Sequence, residues 1–106
     1  MVKRGEVWLC ALDPTVGREI RKTRPCLIVS PDDLNRQLST AIVAPLTSGS
    51  RPTRFRIAAE FQGVAGLILP DQMRTLDERR FRKRLGEIDE AALSAVLDVL
   101  RRMFAS

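Results

Sequence analysis

This chain of 106 residues contains no histidine and no tyrosine, and its only aromatic residues are one tryptophan and four phenylalanines. Because the imidazole group is the side chain that most readily exchanges protons near neutral pH, any acid–base chemistry here must use other groups. Two cysteines without histidine cannot complete the four ligands of a typical zinc site. The composition therefore excludes histidine-dependent catalysis and argues against a structural metal.

Long apolar segments are also missing. No apolar run approaches the ~18 residues that a membrane span needs, and residues 1–5 lead directly into a strand pattern rather than a secretory signal. Cys10 and Cys26 both lie in apolar runs, where buried free thiols in a reducing compartment are a better interpretation than a disulfide. We expect a cytoplasmic protein that folds as one domain over residues 1–106.

Positive charge is in excess, since 18 Lys and Arg residues against 13 Asp and Glu residues give a formal net charge of +5. Such an excess favours a polyanionic partner, and nucleic acid first, although basic side chains that are merely solvated would give the same balance. The elements that follow decide between these two interpretations.

Short strand patterns dominate the chain. We predict strands over 6–12, 24–30, 40–46, 53–58 and 67–75, and in the last of these Pro70 marks a stop or a sheet edge. A Gly/Ser/Pro loop is predicted over 47–52, and a charged connector or short helical turn over 77–84. A short helix is predicted with Ser30 as N-cap and Pro31 in its first position, ending near Gln37. A terminal helix begins after Asp89 and carries an apolar stripe from Leu93 to Phe104. These elements indicate an α+β, mainly β fold: a small, strongly curved antiparallel sheet or barrel with helices attached.

Two of the apolar strands carry one polar functional group at an end. Arg24 stands where the strand 24–30 begins, and Thr47 stands where the strand 40–46 stops. Strand ends direct such groups out of the sheet while the apolar stretch is buried. A guanidinium fork with a hydroxyl donor suits a phosphate group.

Five sequence blocks in register resemble one protein family. They are Arg4–Leu9, Leu12–Glu19, Thr23–Pro25 with Ile28–Pro31, Ala44–Ser48, and Asp71–Asp77 with Lys83–Gly86. In these blocks the chain resembles the MazF/PemK/Kid ribonuclease toxins of bacterial toxin–antitoxin pairs. The resemblance implies an SH3-like barrel with a C-terminal helix, like those of MazF and CcdB, and a homodimer without a cofactor. It also implies metal-independent cleavage of single-stranded RNA by 2′-hydroxyl attack, which leaves 2′,3′-cyclic phosphate and 5′-hydroxyl ends.

The same resemblance selects four catalytic candidates. Arg24 is the family's central catalytic residue, and charge stabilisation is its safer role, because a guanidinium with a pKa above ~12 is a poor base. Thr47 is expected to donate a hydrogen bond to the phosphate or to the oxyanion of the transition state. Glu19 is expected to orient the arginine or accept the 2′-proton. Asp71 matches a carboxylate in the active site of some members, although for both acids a structural ion pair is an equal alternative.

The basic loop residues are expected to form a groove that follows the RNA backbone. Gln72 and Thr75 are expected to hold loops or contact bases, and Phe55 and Phe61 are the only candidates for base stacking. The predicted RNA-binding residues are Arg18, Arg21, Lys22, Thr23, Ser48, Arg54, Arg56, Gln72, Arg74 and Thr75. Arg18 stands where some family members have a histidine, so we expect the recognised RNA sequence to differ between members.

Two further functions remain open at this point. A CcdB-like toxin would share the fold and poison DNA gyrase, but the chain ends in residues 102–106, Arg-Met-Phe-Ala-Ser, rather than the Trp-Gly-Ile ending of that family. A barrel that binds nucleic acid without cleaving it is the other alternative. The resemblance also implies a cognate antitoxin whose flexible acidic tail covers the active site.

Overall fold

The computed structural model of the protein describes residues 2–48 and 51–106. Gly49 and Ser50, in the loop predicted over 47–52, lie outside the described residues. The elements, in chain order, are β1 (Glu6–Ala11), β2 (Thr23–Ile28), α1 (Asp32–Leu38), β3 (Thr40–Ser48), β4 (Ile57–Phe61), β5 (Val64–Ile68), a 3-10 turn (Pro70–Gln72), β6 (Arg74–Asp77), a second 3-10 turn (Glu78–Arg80), β7 (Phe81–Glu87) and α2 (Glu90–Phe104).

The nine-residue strand β3 organises the sheet. The strands follow the order β4-β5-β3-β2-β1-β7, and β6 pairs with the first half of β3 while β5 pairs with its second half. All pairings are antiparallel. The sheet curls until the β4–β5 hairpin approaches β7, where Gln62 Nε2 donates to the Leu85 carbonyl at 2.7 Å. The predicted mainly β fold with two helices is confirmed, as a curled antiparallel half-barrel.

Strand alternation divides the apolar side chains between the two faces of the sheet. The helix-side cluster contains Val7, Leu27, Val29, Ala44, Ile68, Ile88 and Val96. The loop-side cluster contains Cys10, Leu12, Cys26, Ile28, Ala41, Val43 and Leu76. Because successive side chains of β2 and β3 enter opposite clusters, these strands are apolar on both faces, as their nearly continuous apolar runs predict.

The terminal helix covers the helix-side cluster. Asp89 caps it as predicted, accepting a hydrogen bond from the Ala92 N–H at 2.8 Å. The predicted stripe packs from Leu93 to Leu100, but Phe104 is 71% exposed because the helix ends there, beyond the sheet. Within the described ranges, no helix is long and apolar enough to cross a membrane.

Three predicted elements were wrong because local contacts override the pattern. Ser30 is not the N-cap of α1, since that position falls on Pro31 and the Ser30 hydroxyl is buried against Asn35. The strand predicted over 53–58 is a tight turn closed by Thr53 and Arg56, and β4 begins only at Ile57. The range predicted as strand over 67–75 is divided between the end of β5 and the start of β6, because Pro70 has no N–H for the ladder and starts a 3-10 turn.

The charged connector predicted over 77–84 is also wrong beyond residue 80. Residues 81–87 form β7, which pairs with the otherwise unpaired edge of β1. An edge strand tolerates charged side chains because one side of it faces water, so the basic composition misled the prediction. The predicted buried free thiols are confirmed: Cys10 and Cys26 are both fully buried. A hydrogen bond with Cys10 is the main cause that raises the pKa of the Cys26 thiol, and burial is the second. The thiol therefore stays protonated.

The single tryptophan lies at the rim of the loop-side cluster rather than fully inside the core. Trp8 packs edge-on against Phe81, with ring centroids 6.0 Å apart, and its Nε1 donates to the Glu6 carboxylate at 3.0 Å. Glu6 also accepts from the Lys3 N–H and from Arg84 Nε, each at 2.8 Å. Burial alone would raise the pKa of Glu6, but these hydrogen bonds, that from Arg84 foremost, hold the pKa below its usual value.

This carboxylate makes stability depend on acid pH. A lowered pKa in the folded state adds stability above the unfolded pKa, and that stability disappears as pH falls through the folded pKa. We expect the free energy of unfolding, measured with urea and Trp8 fluorescence, to decrease below about pH 4.5. Glu6→Gln should show a shallower decrease, whereas Glu60→Gln, at an exposed site, should follow the wild type. Equal slopes for both variants would contradict this role of Glu6.

Candidate active site

Arg24 and Thr47 meet at one groove. The ladder between β2 and β3 ends at the pair of Cys26 and Pro45, and Arg24 and Thr47 each lie two residues beyond this pair on their own strands. Both side chains line the same cavity of about 290 Å³. The sequence predicted a phosphate site from these two residues, and the structure brings them together.

The rest of the groove is mostly apolar. Its walls come from β5, the tip of the β4–β5 hairpin and β7, and only a few polar groups, among them Ser48 and Gln62, border it. Its further lining residues are Pro25, Leu46, Ala59, Phe61, Val64, Ala65, Gly66, Leu67, Ile68 and Leu85. Apart from Phe61, which was considered for stacking, sequence reasoning missed these apolar residues, because no spacing links the hairpin to β7.

The backbone of Thr47 is held on the hairpin side. It pairs with Leu67 of β5, and Ser48 pairs with Gly66. Gly66 is required there because a side chain at this position would collide with the Thr47 carbonyl. Thr47 is therefore presented from a regular strand rather than from a loose turn, which limits the freedom of its hydroxyl group.

The guanidinium of Arg24 is oriented by the loop that precedes it. Its Nε donates to the Arg21 carbonyl at 3.2 Å, and the side chain is half-buried. Within residues 2–48 and 51–106, no hydrogen bond or ion pair engages its two terminal amino groups. These groups can therefore donate to a phosphate placed in the groove.

The loop between β1 and β2 is anchored by residues distant in sequence. The Gln72 side chain accepts from the Ile20 N–H at 2.7 Å and donates to the Arg18 carbonyl at 3.3 Å. Arg74 donates to the Leu12 carbonyl at 3.0 Å. Gln72 therefore holds this loop, which is one of the two roles that the sequence offers for it, and Arg74, predicted as an RNA contact, also fastens this loop.

Glu19 lies exposed in that loop. One of its carboxylate oxygens accepts from the Val16 N–H at 2.7 Å, and its other oxygen has no protein partner in the described part of the chain. Because its oxygens are not occupied by a cation there, Glu19 retains a carboxylate oxygen that can accept a proton.

The carboxylate of Asp71 forms an ion pair with a guanidinium group. Arg56 binds both of its oxygens, with Nε to Oδ1 at 3.0 Å and Nη2 to Oδ2 at 2.8 Å. The hydrogen bonds from Arg56 hold the pKa of Asp71 below its usual value, and the same contact raises the pKa of Arg56. The pair connects the turn Pro70–Gln72 to the end of the loop before β4, so both predicted site residues engage each other.

The structure does not gather most of the remaining RNA-binding candidates at the groove. Arg18, Arg21, Lys22 and Thr23 are exposed in the anchored loop and at the start of β2, and Thr75 is exposed on β6. The Arg54 guanidinium lies 4.9 Å from the ring centroid of Phe55. Of the ten RNA-binding candidates, Ser48 alone lines the cavity beside Arg24 and Thr47.

Much of the dense basic run 79–84 is engaged in internal contacts. Arg79 pairs with Asp77, and Arg84 pairs with Glu6. Arg80 donates to the carbonyls of Ala11 and Asp13. These contacts give the run a structural role and leave the loop 12–22 as the main basic segment beside the groove.

Comparisons with known proteins agree with the family resemblance of the five sequence blocks. A sequence model of the PemK-like, MazF-like toxins of type II toxin–antitoxin systems matches residues 3–104. The endoribonuclease PemK of Escherichia coli is 40% identical over 102 residues, which cover 91% of this chain and 77% of that protein. The crystal structure of MazF from Deinococcus radiodurans superposes with a TM-score of 0.85 at 28% identity, covering 96% of this chain and 94% of that one. A mycobacterial endoribonuclease solved in complex with its cognate antitoxin has the same fold, with a TM-score of 0.81 at 24% identity over 96% of this chain and 93% of that one.

Proposed function

The chain belongs to the PemK-like, MazF-like toxin family of type II toxin–antitoxin systems, and from this premise we propose that it cleaves single-stranded RNA without a metal ion. The observation that carries the proposal is the meeting of Arg24 and Thr47 at one groove, where the terminal amino groups of the arginine have no partner among the described residues. Relatives named endoribonucleases support the same activity.

The proposed reaction is attack of an RNA 2′-hydroxyl on the adjacent phosphorus. The 2′-oxygen–phosphorus bond forms and the bond from phosphorus to the 5′-oxygen breaks, which leaves a 2′,3′-cyclic phosphate and a 5′-hydroxyl. Arg24 offers a planar fork of N–H donors to the phosphate oxygens, and Thr47 offers a hydroxyl donor beside it. Both groups act on negative charge that grows at phosphorus in the transition state.

Glu19 is the better of the two carboxylate candidates for the proton acceptor. Its free oxygen contrasts with Asp71, whose two oxygens both accept from Arg56. The hydrogen bonds from Arg56 lower the pKa of Asp71, which weakens this carboxylate as a proton acceptor. We assign Glu19 to the 2′-proton and Asp71 to holding the loop before β4, with water in the open groove protonating the 5′-oxygen.

The proposed substrate approaches along the basic loop that precedes β2. The exposed cations Arg18, Arg21 and Lys22 attract the phosphate backbone, and the apolar wall of the groove offers Phe61 as a surface for a base. The required 2′-hydroxyl makes RNA rather than DNA the substrate. We further propose that residues 1–106 act as one cytoplasmic domain in a homodimer, which an antitoxin inhibits with an acidic segment.

The test is to incubate the purified protein with a long single-stranded RNA in EDTA and to map the new ends. We expect cleavage at recurring short sequences that leaves 5′-hydroxyl ends, in EDTA as in magnesium. The Arg24→Ala variant, prepared identically, excludes a contaminating ribonuclease if it produces no cuts. Intact RNA from folded wild-type protein would contradict the proposal and direct attention to gyrase poisoning or to simple RNA binding.

A further inference from the structure

Gln72 is distant from Arg24 in the sequence, but a continuous set of contacts joins the two residues. Its amide holds the Arg18 carbonyl and the Ile20 N–H. The next residue, Arg21, presents its carbonyl to Arg24 Nε. Only one peptide unit therefore separates the groups that Gln72 binds from the group that orients the arginine.

The far side of the same loop is fixed independently. The Lys22 carbonyl accepts from the Leu12 N–H at 2.9 Å, and Lys22 adopts a left-handed backbone conformation with φ of 70°. Ile20 packs against the loop-side cluster. With Lys22 held by Leu12, the position of the Arg21 carbonyl depends on what holds residues 18–20. In the described part of the chain, Gln72 supplies the side-chain hydrogen bonds that reach these residues from outside the loop.

We propose that Gln72 is a positioning residue for catalysis, which orients the Arg24 guanidinium by holding the loop segment 18–21. This inference rests on the proposed function of Arg24 and adds a residue that acts on the reaction through the loop. A primary amide suits this role because it accepts and donates at once, as the Ile20 N–H and the Arg18 carbonyl require. Glutamate can replace only the acceptor half, and leucine replaces neither.

Loss of this anchor should affect turnover more than binding. An arginine free to sample several rotamers still attracts RNA by its charge, but it meets the developing phosphorane in the productive geometry less often. With a short RNA carrying a mapped cleavage site, we expect Gln72→Leu to lower kcat about tenfold with KM changed less than about threefold. Gln72→Glu should retain an intermediate kcat because it still accepts from Ile20.

The matched control is Gln37→Leu, the same substitution at an exposed position of α1, which should leave kcat and KM unchanged.

A direct readout comes from NMR. In Gln72→Leu the Ile20 N–H and the Arg24 Nε–H should exchange faster with water than in the wild type. If Gln72→Leu does not fold, the comparison of Gln72→Glu with Gln37→Glu carries the test.

The outcomes separate this inference from the proposed function. An unchanged kcat, or an increase in KM alone, together with unchanged exchange of the Arg24 Nε–H would overturn the positioning role. If the wild type cuts no RNA, the proposed function fails and the catalytic role of Gln72 fails with it, and the exchange rates then decide only whether Gln72 orients Arg24. Faster exchange at Arg24 in the leucine variant then supports it, and equal rates overturn it.

Discussion

Replacing Arg24 by alanine is expected to slow RNA cleavage by about a thousandfold or more, because an arginine that stabilises a transferring phosphoryl group typically contributes that much. The structure supports a large effect. The side chain is held by the Arg21 carbonyl, and its terminal amino groups face no competing acid in the described residues. Single-turnover kinetics with excess protein measure the chemical step without interference from product release.

Two comparisons make this prediction specific. Arg24→Lys retains the charge without the planar fork, so we expect a loss of about a hundredfold, between those of the wild type and the alanine variant. Arg36→Ala removes an exposed arginine of α1 and should leave the rate unchanged. The affinity for an RNA whose cleavage site carries a 2′-deoxy nucleotide should fall only a few-fold in Arg24→Ala. A parallel loss of affinity and rate would instead show that Arg24 contributes to RNA binding and not specifically to the transition state.

The second large effect is expected at Asn35, which is fully buried. Its side chain accepts from the Ser30 hydroxyl at 2.5 Å and donates to the carbonyls of Ser30 and Val2 at 3.2 and 3.5 Å. The Ser30 hydroxyl in turn accepts from the Ile42 N–H at 2.8 Å. This buried network joins α1 to the N-terminal segment, to the end of β2 and to β3.

We expect Asn35→Ala to lower the free energy of unfolding by about 2–4 kcal/mol, since it leaves buried polar groups without partners. The better helix propensity of alanine offsets only about 0.5 kcal/mol of this loss. Urea unfolding followed by Trp8 fluorescence measures the change. Gln37→Ala, on the exposed side of the same helix, should be neutral or slightly stabilising.

A double-mutant cycle with Ser30→Ala identifies the cause. If the network carries the effect, the two single losses should sum to more than the loss in the double variant, because both substitutions remove the same hydrogen bond. Strict additivity would show that the hydrogen bond between the Asn35 and Ser30 side chains does not carry the effect.

The local sequence pattern was sufficient to predict the elements that bury their own apolar residues. The β2 and β3 runs, the short helix after Pro31 and the terminal helix behind Asp89 all follow from periodicity, capping and the preference of β-branched residues for strands. The resemblance carried in five blocks is confirmed, since residues 3–104 match the same family. The catalytic roles of Arg24, Thr47, Glu19 and Asp71 stay predictions.

Local pattern failed where a distant segment decides the local structure. The basic residues 81–84 form a strand because β1 leaves an edge for them. Asp71 resembles a catalytic carboxylate in its motif, but Arg56, fifteen residues earlier, occupies both of its oxygens. Neither outcome is encoded in the spacing of neighbouring residues.

The absence of histidine chemistry, the basic charge, the family and an arginine and a threonine at two strand ends can all be read from the residues alone. The folded chain adds that these two side chains share one apolar groove, that among the described residues Glu19 and not Asp71 keeps a free oxygen, and that Gln72 holds the loop that orients Arg24. Composition and periodicity cannot supply these facts, because they are local properties of the chain. The partner of each hydrogen-bonding group is instead chosen when the curled sheet brings segments tens of residues apart into contact.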